Sequence, residues 1–108
     1  MKTSELLREA KKGLWWGNSC VPDSYASYIE TSYVCIAIDR AGVRTGHSYL
    51  ARNLRERLRI RLGKHDTVLG WLRYEVGVPE AHITGRNVQA YRHRWLDALI
   101  AEYEAKGD

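Results

Sequence analysis

Apolar positions recur along this chain at helical rather than alternating spacing. Leu6, Leu7, Ala10 and Leu14 follow Thr3 or Ser4, either of which can cap a helix, and predict a first helix ending near Gly17. The stretch GNSCVPDSYASY is rich in turn formers and reads as an irregular loop, with room for one short β-hairpin near residues 17–31. In IETSYVCIAIDRAG the run YVCIAI fits a buried strand as well as a helix, because short apolar runs are ambiguous by periodicity. Its exit through Asp-Arg-Ala-Gly favours helix and puts Gly42 in the helix-ending position. From Ser48 to Leu62 the leucines at 50, 54, 58 and 62 return every four residues, and Gly63 stops the pattern. A fourth helix starts at Asp66 or Thr67, takes in Trp71 and Leu72, and ends at Gly77. The last runs from about Arg86 to Ala105, with Val88, Tyr91, Trp95, Leu99 and Tyr103 as its apolar stripe. About five amphipathic helices, each able to bury its apolar face only against another, predict an all-α, small single-domain bundle.

Size and composition agree with one domain. The chain has 108 residues, 44% hydrophobic and 28% charged, enough for a single modest core and not for two. Cys20 and Cys35 form no CxxC or metal spacing, which suits a reduced cytosolic setting. MKTSELLREAKKGLWW lacks the apolar core of a signal peptide, and YVCIAI is far too short to span a bilayer, so no membrane association is expected. Charge changes the picture more. Between Arg40 and Lys64 stand eight Lys or Arg against the single acid Glu56, whereas the chain as a whole nets only +4. All of the positive surplus lies in that segment, which favours a polyanion or an acidic partner there.

Five arginines of that segment lie on the third helix. At about 100° per residue, Arg52, Arg55 and Arg59 form a ridge beside the leucines, and Arg57 and Arg61 flank the other edge. Guanidinium forks suit phosphate oxygens, while the bland alternative is a solvated helix whose long stems cover apolar surface. GVPEAHI resembles the turn of a helix-turn-helix unit, although Arg73 and Gly85 stand where that motif wants a small buried residue and an unbroken helix. His47, His65, His82 and His93 show neither HxxxH nor HExxH spacing, and no phosphate-cradling glycine motif occurs, so neither metal, cofactor nor enzymatic activity is expected. Two adjacent tryptophans cannot both face one core, so Trp16 is a candidate for covering the following loop or meeting a partner. Arg92 falls inside the apolar stripe of the last helix. Buried there, it needs a carboxylate, with Asp39 the preferred partner and Glu102 the second, or else it belongs to a pocket for an anionic ligand.

Read in order, SELLREAKKGLWWG, SYVCIAI, the Leu-Arg helix ending RLG, TVLGWLR and QAYRHRWLDALIAEYE resemble an uncharacterised family of short tailed-bacteriophage proteins. Its members share a Tyr-x-Cys-x-Ala-Ile element and a C-terminal Arg-x-x-Trp-Leu-x-x-Leu-Ile-x-Glu helix. The connection CVPDSYASYIETS is longer than that pattern leads one to expect. The resemblance implies phage or prophage origin and expression in the host cytoplasm, and it implies no particular activity. Small phage proteins without catalytic signatures often bind a host component and switch it off. By that analogy the chain is expected to be a non-enzymatic accessory protein, an inhibitor of a bacterial defence system such as an anti-CRISPR, that binds a host protein or nucleoprotein complex. The alternatives are a nucleic-acid-binding regulator using the arginine-rich helix and a sponge for a phosphorylated signalling nucleotide. A monomer and a homodimer joined through the third or last helix are both open.

Overall fold

The computed structural model describes residues 1–14, 33–62, 68–79 and 82–108. Every regular element among them is helical, so the chain is an all-α bundle. Helix α1 covers Thr3–Gly13, α2 Val34–Thr45, α3 Ser48–Arg61, α4 Val68–Trp71 with a wide π turn over Leu72–Val76, and α5 Val88–Ala105. YVCIAI is therefore helix from Val34 onward. The loop and possible hairpin at 17–31, Trp16, and the signals at Gly63, Asp66 and Thr67 lie outside the described residues.

The first turn of a helix leaves backbone N–H groups without intrahelical acceptors. In α1 they are met from the far end of the chain. Thr3 donates its N–H and its hydroxyl to the Asp108 carboxylate at 3.2 and 3.0 Å, and Ser4 N–H donates to the Asp108 carbonyl at 2.8 Å. The Thr3 N–H, and then its hydroxyl, hold the Asp108 carboxyl below its ordinary value of 3.8. A depressed folded-state pKa stabilises the fold above the ordinary value and loses that effect as pH falls through the lowered one. Asp108→Ala is thus expected to lower Tm at pH 7, and the gap to the wild type should close as melting is repeated at pH values below 3.8. An equal gap at every pH would show that the charged carboxylate plays no part.

Glycines place the two sharpest exits. Gly46, at φ 73°, ends α2 and turns the chain into α3, with His47 N–H donating to the Gly42 carbonyl at 2.7 Å. Gly42, expected to end this helix, instead lies buried inside it. A Cβ built there would stand 2.6 Å from the Cβ of Ala51, so the missing side chain lets α2 and α3 approach closely. At Gly77, φ 82°, α4 stops as its sequence predicts, and the Gly77 and Val78 N–H groups both donate to the Leu72 carbonyl. Helix α5 begins two residues later than expected because Thr84 and Asn87 bond each other's backbone N–H groups through their side chains, closing a turn just before Val88. Residues 77–87 thus separate α4 from α5, far more than the roughly 3–4-residue turn of a helix-turn-helix.

The core sits where α1 meets α2 and α5 and where α3 closes on α2. Leu6, Leu7, Ile38, Leu54, Leu72 and Leu96 are fully enclosed, and the rings of Trp71 and Trp95 stack at 6.2 Å between centroids. Of the four leucines spaced along α3, the last three are buried and Leu50 is half-buried at the edge. The inner face of α5 is wider than its predicted stripe, since Gln89, His93, Leu96 and Ile100 are buried as well. Among the described residues no helix is long and apolar enough to cross a membrane.

Candidate functional site

Because the leucines of α3 point inward, its remaining positions must face solvent or a neighbouring helix. Tyr49, Asn53, Glu56 and Ile60 follow one line down its outer side, with Arg52 and Arg59 alongside. Tyr49 is 73% exposed and Ile60 77%. Val43, on α2 across the Gly46 turn, is 73% exposed. Between the two helices runs an open groove of about 820 Å³, bordered by Asp39, Val43, Arg52, Arg55, Glu56 and Arg59.

Arg52, Arg55 and Arg59 border the groove together, but the five arginines of α3 have different partners. Arg55 is half-buried and pairs with Asp39 across the α2–α3 turn. Arg61 donates to Glu75 from Nε and Nη2 and to Glu102 from Nη1, tying α3 to the π turn and to α5. These bonds hold the Glu102 carboxyl below its usual range and hold the Arg61 proton more firmly still. Arg57 lies over the Tyr103 ring, 5.3 Å from its centroid. The remaining two look outward. Arg59 stands 3.6 Å from Glu56 with both side chains mostly in water, an arrangement that contributes little. Arg52 is exposed and makes no ion pair among the described residues. The groove therefore carries two available guanidinium groups, Arg52 and Arg59, above a fixed Arg55–Asp39 pair.

Arg92 is placed differently from its sequence reading. Asp39 is taken by Arg55, and Glu102 by Arg61 and Lys106. Arg92 is half-buried, donates from Nη1 to Gln89 Oε1 at 2.7 Å, and lies over the Tyr33 ring at 4.9 Å. Neither the Asp39 nor the Glu102 pair with Arg92 forms, because the fold sets both acids beside α3 arginines. Cys35 is a buried core thiol. A second open groove of about 820 Å³ lies along the α1–α5 seam, where Arg8 pairs with Glu104 and Lys11 with Asp97, so its charges are matched within the chain.

Sequence reasoning missed Val43 as a surface residue and Asp39 as the partner of Arg55. A signal for the second was present. Two helices joined by a tight turn bring together residues roughly equidistant from it, and both Gly42 with Ala51 and Asp39 with Arg55 are centred on Gly46–His47. The chain matches no family model, and no curated protein or solved structure matches it. Its class is defined by fold and surface alone: a small helical bundle with an arginine-bordered open groove between α2 and α3.

Proposed function

We propose that this is a phage-encoded accessory protein without a catalytic role, which inhibits a bacterial defence system such as CRISPR-Cas by binding a host protein or nucleoprotein complex through its α2–α3 face. The observation that supports the reading is the joint exposure of Tyr49, Ile60 and Val43 with Arg52 and Arg59 on a two-helix layer. Tyr and Arg are over-represented among residues that dominate binding energy. The layer is rigid where it matters, since Gly42 seats α2 directly on Ala51 of α3. Binding such a face needs little ordering, which favours affinity. The phage context comes from the ordered sequence motifs described above. A protein partner suits this surface better than duplex nucleic acid, because Arg55 and Arg61 are committed to carboxylates of the chain itself.

The test is phage plating on bacteria whose CRISPR-Cas immunity blocks the phage. Expressing the chain is expected to restore plaques, and Arg52→Glu/Arg59→Glu, at exposed positions that leave the fold intact by circular dichroism, is expected to abolish the effect. Failure to restore plaques against CRISPR-Cas and against a panel of other defence systems would refute the inhibitor reading.

A further inference from the structure

The acids bordering the α2–α3 groove narrow the kind of partner it fits. Asp39 and Glu56 stand among its arginines, so charge alternates along the groove instead of building one positive field. A nucleic-acid strand, with a phosphate at every step, would be attracted by Arg52 and Arg59 and repelled between them. Discrete carboxylates on a regular scaffold meet no such penalty. Arg52 and Arg59 are seven residues apart on one face, about 10.5 Å along the helix axis. A helix laid along α3 presents side chains at that same interval. The groove between two packed helices is also the seat in which a third helix continues the layer, its axis about 8–10 Å from each neighbour. Val43 on one wall and Ile60 on the outer side of α3 supply exposed apolar surface for its other contacts.

We infer that the groove between α2 and α3 receives an acidic amphipathic helix of the partner protein, with two carboxylates seven residues apart on Arg52 and Arg59 and a basic side chain between them on Glu56. The inference rests on the reading of this face as the partner-binding surface and specifies its occupant. The Arg55–Asp39 pair forms a neutral floor, so covering it leaves no unmatched charge beneath the incoming helix. The required pattern, acid then base then acid with apolar residues beside them, is distinct from a simple acidic tail.

The probes are two alanine-based peptides of about 20 residues, beyond the length at which isolated Ala-rich helices are marginal in water. One carries Glu, Lys and Glu at the matching spacing beside a leucine stripe, and the other carries Lys, Glu and Lys. Each is titrated into the isotope-labelled full chain and followed by amide chemical shifts, with a short DNA duplex as a third arm. The first peptide is expected to move the signals of Val43, Ser48 and Arg52, while those of the α1–α5 seam stay in place. With Arg52→Glu/Arg59→Glu the preference is expected to reverse to the second peptide, a gain that a merely unfolded variant could not show. Duplex DNA shifting the same signals while the first peptide leaves them unmoved would overturn the inference. If neither peptide binds the groove yet the same double variant loses plaque restoration, the occupant is wrong and the binding face stands. Plaque restoration that survives the double variant removes the face itself.

Discussion

Trp95→Ala is expected to destabilise the fold by about 3–5 kcal/mol, the usual range for removing a large buried ring. Trp95 is 1% exposed and stacks on Trp71 at an interplanar angle of 17°, so truncation removes both burial area and a ring partner. The cavity would open between α4 and α5, where α4 is a single short turn widening into a π turn and has little helical length with which to collapse inward. Domains of this size are stable by only about 5–15 kcal/mol in total, so the variant should sit near the edge of folding. Urea denaturation followed by circular dichroism measures the loss, and Trp95→Phe should recover a large part of it by restoring a ring. A loss below about 0.5 kcal/mol, the level of an ordinary surface change, would mean that this ring is not a core element.

Gly42→Ala is expected to be the next most damaging single change, by about 1–3 kcal/mol, in the range of overpacked cores. The direction runs against local propensity, since alanine favours a helix interior over glycine by about 0.5–1 kcal/mol. Packing decides the sign. The new methyl group would lie 2.6 Å from the Ala51 Cβ and 3.2 Å from both the His47 carbonyl oxygen and the Ser48 Cα. Two of those three neighbours are backbone and cannot rotate aside, so α2 and α3 must separate. A double-mutant cycle isolates the clash. Adding Ala51→Gly removes the nearest atom, and the pair should be more stable than the sum of the two single losses. If Gly42→Ala instead raises Tm, the two helices do not approach as closely as the geometry requires. Separating them also widens the groove bordered by Arg52 and Arg59, so the same variant should weaken partner binding even where it remains folded.

The sequence by itself determined what depends on neighbours along the chain. Leucines every fourth residue define a helix almost independently of surroundings, which is why α3 runs from Ser48 to Arg61 close to its predicted span. Gly77 ends α4 as read, because only a residue free to adopt positive φ closes a helix that way at low cost. The same local logic named the wrong glycine in α2. Gly42 and Gly46 both look like helix ends, and only the contact with Ala51 shows that the first is a packing notch and the second the exit. Tertiary structure alone decided which arginines face outward. Helical periodicity put all five on the edges of α3, yet it could not say that Asp39 would reach Arg55, or that Glu75 and Glu102 would converge on Arg61. The two acids expected for Arg92 were wrong for the same reason. Its angular position on α5 is a local property, whereas the acids available to it depend on which helices lie alongside. Long charged side chains choose partners through space, at distances set by how helices cross, and that information enters only when the helices pack.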